Sequence, residues 1–450
     1  MSILNNNKKY EITLSAIAVN DKLNKDHKAC GISFTNNKEI YLPLCGCGNM
    51  PVLHRRLLEL LSNQKEAINV NINSFLKLAN PDHQQTIVNS FFTIDDFLTN
   101  KYSLKTTKSK RIEHNFIIDA IKYANLIKIA KVITEAENLS KTLMVMPSNY
   151  LTVDEFERIV KNKFQGLKNI KFSVLHKSEL TKKKMGLILA VGKASPKVNE
   201  PRIIVVEYNN TPSKKKIALV GKGIIFDTGG LHLKPGESMT GMHGDMSGAA
   251  LTLASIYAMA KLNINANVVG VAALATNEIS ADAYRVNDVI TSYSGKTVEI
   301  LNTDAEGRLA LADGIAYAKR DLKANTIMTV ATLTGAICIA LGETYTGIWT
   351  SNDALWSSVS EASILAGESL WRMPFHYEYQ NAIVNNTKIA DLANITSTRF
   401  AGSNTAAEFL HVFADGTNFI HADIAGSNEY HKEFIPILVK TMLYLTKNFK

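Results

Sequence analysis

After Pro147 the chain alternates short runs rich in β-branched residues with longer stretches of helical spacing, and this alternation narrows the fold more than any other feature. The apolar runs fall at residues 186–191, 202–208, 217–220, 266–274 and 324–330, with helix-like stretches at 247–262 and 308–319 between them. Thr152-Val153-Asp154-Glu155 reads as a capping box, Thr152 accepting from the amide of Glu155 while Glu155 reaches back. It starts a helix running to about residue 164. Strands alternating with helices predict a mainly parallel, or mixed, sheet covered by helices on both faces. In such sheets ligands bind beyond the carboxyl ends of the strands. Lys222, Asp227 and Asp304 all fall just after predicted strands.

A chain of 450 residues exceeds one comfortable core, so a second domain is expected. Residues 10–20 alternate apolar and polar side chains, 50–61 carry helical spacing, and 67–72 and 85–92 read as strands. Together they predict a smaller N-terminal α/β domain over residues 1–110. The lysine-rich stretch 100–111 marks its boundary, and the helical periodicity of 112–139 predicts a linker helix within 111–140. The larger α/β domain then occupies 141–450. Cys45-Gly-Cys47 is too tightly spaced for a zinc ribbon, and with Cys30 and Cys338 it implies reduced thiols and a cytoplasmic compartment. The N-terminus is polar, and no apolar run is long enough for a membrane helix. The net charge of +9 comes from short clusters such as Lys182-Lys183-Lys184 and Lys214-Lys215-Lys216, which suit solvated turns better than a nucleic-acid groove.

The chemistry concentrates in residues 220–309, where Lys222, Asp227, Lys234, Asp245, Asp304, Glu306 and Arg308 sit in glycine-rich or short-turn settings. Four carboxylates with two lysines and an arginine imply a cation site facing an anionic or carbonyl-bearing ligand. Oxygen ligands with few histidines suit Mn²⁺ or Mg²⁺, and Zn²⁺ also accepts carboxylates. Two ions sharing bridging carboxylates would serve hydrolysis by activating water and polarising the bond under attack. Such a pair also serves phosphoesterases, but Gly221-Lys222 is followed by glycine rather than the Ser or Thr of a phosphate loop. His232, two residues before Lys234, shares its face if that stretch is extended; a local hydrogen bond is the simpler expectation.

Three strings carry a resemblance: Val220-Gly221-Lys222-Gly223 with Phe226-Asp227-Thr228-Gly229-Gly230, Asp245-Met246-Ser247-Gly248-Ala249-Ala250, and Asn302-Thr303-Asp304-Ala305-Glu306-Gly307-Arg308-Leu309. Ala331-Thr332-Leu333-Thr334-Gly335-Ala336 and His421-Ala422-Asp423-Ile424-Ala425-Gly426 extend it. Over roughly residues 140–430 the chain resembles the leucyl (cytosol) aminopeptidase family of two-metal exopeptidases. The resemblance implies that Lys222 and Asp245 bind one ion, Asp304 the other, and that Asp227 and Glu306 bridge them. The ions would be Zn²⁺ or Mn²⁺, with Mg²⁺ a third candidate. It further implies that Lys234 stays protonated and polarises the scissile carbonyl, and that Arg308 holds a bicarbonate acting as general base. Met242 and Thr332 would border the side-chain pocket, and Leu333 and Gly335 would offer backbone hydrogen bonds to the peptide. Removal of N-terminal amino acids from peptides, a role in peptide turnover and a homohexamer are implied in the same way. Four features differ from the family pattern: Ala393-Asn394-Ile395 is followed by Thr396-Ser397-Thr398-Arg399-Phe400-Ala401 instead of a glycine-rich loop, no Lys/Thr-Gly-rich segment follows the Asp423-Ile424-Ala425-Gly426 string, His232 stands where a serine is common, and His243-Gly244 precede Asp245. The alternatives are a two-metal phosphoesterase and nucleic-acid binding by the basic N-terminal domain.

Overall fold

The computed structural model describes residues 10–18, 20–24, 33–36, 38–44, 50–107 and 112–448. The polar N-terminus, Cys30, Cys45, Cys47 and the end of the lysine-rich boundary lie outside them. The chain divides into two compact units, Met1–Asn138 with Glu361–Ser369, and Leu139–Ser360 with Leu370–Lys450.

The first unit holds a five-stranded sheet built from β1 (Thr13–Ala18), β2 (Phe34–Asn36), β3 (Glu39–Leu44), β4 (Asn69–Asn71) and β5 (Asn115–Ile117), in the order β2-β3-β1-β4-β5. All neighbours run parallel except β2 and β3. Its core is aromatic, with Phe91 edge-on to Phe75 at 5.0 Å and to Phe116 at 6.0 Å. Two expectations are corrected here. Residues 85–92 belong to the helix Gln84–Thr99, not to a strand; everything from Thr86 to Asp95 is buried, so the helix has no polar stripe to betray its period. The periodicity of 112–139 hides strand β5, and the helix begins only at Ala124, running to Val145. Ahead of it, the Asp119 carboxylate accepts from the amides of Ile121 and Lys122 at 3.1 and 2.9 Å.

The second unit contains β6 (Ile170–Leu175), β7 (Arg202–Asn209), β8 (Ile217–Asp227), β9 (Asn267–Asn277), β10 (Val289–Thr291), β11 (Thr297–Glu299), β12 (Thr326–Ala331), β13 (Thr346–Thr350), β14 (Leu370–Arg372), β15 (Leu392–Ala393) and β16 (Asn418–Asp423). Eight of them form one sheet in the order β14-β13-β16-β12-β8-β9-β7-β6. Its centre, β16-β12-β8-β9, is parallel, and antiparallel pairings flank it on both sides. The structure is therefore α/β with mixed sheets, as the alternation of runs predicted. Two of the intervening helices lie on opposite faces. A Cβ at Gly221 would come within 2.5 Å of Ala249 Cα in the helix Ser247–Lys261, so only glycine permits that approach. On the other face, a Cβ at Gly314 of the helix Glu306–Arg320 would lie 3.1 Å from Val220.

Thr152 caps the helix Val153–Phe164 through the Glu155 amide at 3.1 Å, but the Glu155 carboxylate turns outward to Arg158 instead of closing the box. The run 186–191 is a short helix rather than a strand. Apolar runs of six residues cannot be told apart by period. What decides the matter is Asp313, which accepts from the amides of Leu187 and Ile188 at 2.9 and 3.0 Å and so supplies a helix cap from afar in sequence.

Candidate active site

Strand β8 places the first lysine. Side chains alternate along it, so Lys222 shares the Val220 face, towards the helix Glu306–Arg320. Asp227 would fall on the opposite face by parity. It does not, because the pairing with β9 slips between Ile224 and Asp227: Ile224 stands opposite Ala275 and Asp227 opposite Asn277, one residue extra on β8. The irregularity reverses the alternation and brings Asp227 round to Lys222. Asp245 arrives from a short 3-10 turn, Met242–Gly244, just ahead of the helix Ser247–Lys261. Glu306 opens the helix Glu306–Arg320, and Gly307 behind it lets Lys222 lie close, since a Cβ there would sit 2.7 Å from Nζ.

The result is a buried knot of charge. Lys222 Nζ lies 2.7 Å from Asp245 Oδ1 and 3.0 Å from Glu306 Oε1, and donates to the Thr332 carbonyl at 2.9 Å. Lys234 Nζ lies 2.9 Å from Asp227 Oδ2 and 2.5 Å from Asp304 Oδ1. Burial works against charge on both lysines, but the carboxylates around each outweigh it and hold the ammonium forms. Burial pushes Asp245 well above the usual carboxylate range, against the pull of Lys222. One oxygen each of Asp227, Asp245 and Glu306 lies within 4.8 Å of the others, a spacing that suits a cation. Asp245 Oδ2 and Glu306 Oε2 are buried without a hydrogen-bond partner. Buried carboxylate oxygens are normally satisfied, and two open ones on residues that line one cleft fit ligands for an ion.

Neighbours hold this set in place. Asn277 donates to Asp227 Oδ1 at 2.8 Å and to the Thr303 carbonyl at 3.0 Å, and Tyr284 donates to the same carbonyl at 2.7 Å. Asn394 accepts from the Leu301 amide at 2.8 Å and donates to the Asn302 carbonyl at 2.6 Å, while its own carbonyl accepts from Arg308 at 2.7 Å. Burial lowers Arg308 to about 10, opposed by Glu306 and Asp423, and its Nε has no partner. Asp423, at the end of β16, accepts from the Leu333 amide at 3.0 Å and the Thr334 hydroxyl at 2.6 Å, fixing the loop after β12. The His232 ring accepts from the Thr303 amide at 3.3 Å, a partner 71 residues away and next to Asp304, so the bond that forms is not the local one expected.

The two lysines, the four carboxylates and Arg308 open onto one cleft of about 650 Å³. It is lined by every residue singled out from the sequence: Lys222, Asp227, Lys234, Met242, Asp245, Asp304, Glu306, Arg308, Thr332, Leu333 and Gly335. Asn277, Tyr284, Asn394 and Asp423 were not singled out. Asn394 and Asp423 stand inside stretches already quoted from the sequence, whereas Asn277 carries no signal beyond its place at a strand end. Cys338, Glu343 and Glu429 also line the cleft, and nothing in their local sequence marks them.

The profile of the cytosol aminopeptidase family, catalytic domain, matches residues 138–441. The chain is 41% identical over 398 residues to a probable cytosol aminopeptidase of Mycoplasma pneumoniae, covering 88% of either chain. It is 40% identical over 400 residues to that of Mycoplasma genitalium, again covering 88% of each. A probable cytosol aminopeptidase of Rickettsia rickettsii is 38% identical over 402 residues, which is 86% of this chain and 79% of that one.

Proposed function

The chain belongs to the cytosol aminopeptidase family and is a peptide-bond hydrolase, and we propose that it removes N-terminal amino acids from peptides in the cleft around Lys222, with two divalent ions. Lys222 and Asp245 would hold one ion, Asp304 the other, and Asp227 and Glu306 would bridge them. The ions, Zn²⁺ or Mn²⁺ with Mg²⁺ as the third candidate, would supply Lewis acidity and a water of lowered pKa. The observation that carries this reading is the pair of buried, partnerless oxygens on Asp245 and Glu306 beside an amine that already contacts both carboxylates. Lys222 has to give up its proton to become a ligand, so ion binding should release protons.

The remaining groups divide the work by charge. Lys234 stays cationic between Asp227 and Asp304 and faces the carbonyl oxygen on which negative charge develops. Arg308, anchored through Asn394 and with Nε still open, would hold a bicarbonate, which would supply a general base there. The Leu333 and Gly335 backbones would align the peptide, with Asp423 keeping that loop in place, and Met242 and Thr332 would border the side-chain pocket. Residues 141–450 would form the catalytic domain, 111–140 the linker and 1–110 the variable domain. A homohexamer and a part in cytoplasmic peptide turnover complete the proposal. No helix among the described residues is long and apolar enough to cross a membrane.

The test is a panel of aminoacyl-fluorophore substrates after chelation, with and without added Zn²⁺ or Mn²⁺. Hydrolysis that returns with the ions, accompanied by proton release on loading, is the expected outcome. Full activity in the presence of chelator, with no ion bound, would overturn it.

A further inference from the structure

A small hairpin packs against the turn that carries Asp245. Beyond Asn428 the chain forms β17 (Glu429–Tyr430) and β18 (Glu433–Phe434), an antiparallel pair closed by His431 and Lys432. Both turn residues sit in the left-handed region, with φ of 50° and 64°, as a tight two-residue hairpin turn demands and as side chains other than glycine rarely allow. No other strand among the described residues pairs with these two. A two-stranded hairpin alone is marginal in water, so its packing is what holds it. The anchor is Phe434. Its ring occupies the place of a side chain at Gly244: a Cβ there would come 2.5 Å from Cε1 and 3.0 Å from Cε2. The His243 ring meets the same phenyl edge-on, with centroids 5.5 Å apart. A second tie runs through Ser247: Asn428 donates to its hydroxyl at 3.3 Å, and that hydroxyl donates to the Gly244 carbonyl at 2.5 Å.

Phe434 thus meets the turn Met242–Gly244 immediately before Asp245, at a glycine that is itself buried. His243 and Gly244, the two residues it touches there, are also a point where the sequence departs from the family pattern. Glycine at 244 makes room for the ring, and the ring in turn removes the freedom that glycine gives the backbone. We infer that Phe434 is a positioning residue: packed on Gly244, it fixes the turn so that Asp245 stays at the ion seat and Met242 at the border of the side-chain pocket. The base of the hairpin belongs to the same wall, since Asn428 and Glu429 line the cleft together with Met242 and Asp245. Without the ring, Asp245 would hang on a turn with a loose glycine, and the ion it holds would bind less tightly. The inference rests on the aminopeptidase reading above, which makes Asp245 an ion ligand.

A contact of this kind predicts a rescue. The full-length chain is stripped with chelator, and its binding of added Mn²⁺ is followed by calorimetry. Phe434→Ala should weaken ion binding by about 10- to 100-fold, the usual cost of losing a group that orients a ligand. Gly244→Ala should do the same by driving the ring out. Joined in one chain, the two substitutions should return the affinity to within about threefold of the unaltered chain, because the new methyl group enters the space the ring has left. If Phe434→Ala fails to fold, Phe434→Leu, which keeps part of the ring's volume and should fall between, carries the same comparison. Single variants that bind Mn²⁺ as the unaltered chain does overturn the inference, and so does a lowered melting temperature with the affinity unchanged, which would make the hairpin a prop for the fold alone. A joined variant no better than either single one also overturns it, since ring and glycine would then act apart. Failure of the unaltered chain to bind either Mn²⁺ or Zn²⁺ overturns the two-ion aminopeptidase reading, and the positioning role with it.

Discussion

Asp313 and the pair Asp245–Glu306 are all buried carboxylates in the same unit, yet they are treated in opposite ways. Asp313 accepts from three backbone amides, Leu187 and Ile188 on one oxygen and Tyr293 on the other at 2.7 Å. Asp245 and Glu306 each keep one oxygen open while the other faces Lys222. Asp423 is the intermediate case, satisfied by Leu333, Thr334 and Ala425 but holding the loop that lines the cleft. Burial raises all three aspartates: Asp313 to about 7, Asp423 to about 6, and Asp245 well above its usual range. Burial alone therefore does not mark a functional acid. Nor does an open oxygen alone, since Asp95 Oδ1 in the first unit is also buried without a partner. What sets Asp245 and Glu306 apart is that both also line the cleft and share Lys222. A buried acceptor without a donor costs about 1–3 kcal/mol there unless something binds.

The contrast breaks most visibly at Glu306. Glu306→Gln should lower kcat/KM by more than about a thousandfold and weaken ion binding while leaving the melting temperature of the ion-free chain unchanged or higher. An active variant would put the open oxygens outside the chemistry. Lys234→Ala should cost about 100- to 1,000-fold in kcat with ion content retained, measured by metal analysis of the purified variant. Loss of the ions would instead make Lys234 part of their seat. Asp423→Asn should raise KM by about tenfold with a smaller change in kcat, since it loosens the wall rather than the charge knot; equal losses in both would place it with the knot.

Asp313 supplies the smallest catalytic effect and the clearest pH signature. Asp313→Asn should destabilise the fold by about 1–3 kcal/mol at pH below 4, where the native acid is also neutral, with kcat per folded molecule nearly unchanged. Its folded pKa, about 7, stands above the ordinary 3.8, so the native state holds the proton more tightly than the unfolded chain. The stability this contributes is complete below about pH 4 and fades as pH rises towards about 7. Denaturant melts across that window should slope downward for the unaltered chain and flatten in Asp313→Asn. An identical slope in both would remove Asp313 as its source.

Much of this molecule could be read before it was seen, and the exceptions share a cause. The runs at 202–208, 217–220, 266–274 and 324–330 became strands because β-branched residues flanked by turns have few alternatives. The runs at 85–92 and 186–191 did not, since uniform burial erases the period that separates a helix from a strand. Asn277 and Asp313 escaped notice for a related reason: each acts on backbone or side chains distant in sequence.

By itself the sequence determined which chemistry was available, namely four carboxylates, two lysines and an arginine in glycine-rich or short-turn settings, although Lys222 and Asp227 lie within β8 rather than after it as expected. Local composition suffices for the chemistry, because residue type sets charge. Tertiary structure decided where those groups point. The slip between Ile224 and Asp227 turns Asp227 to the Lys222 face, and segments distant in sequence, from Lys222 to Glu429, line one cleft. Register and long-range packing are properties of paired segments, and no single stretch of chain contains them.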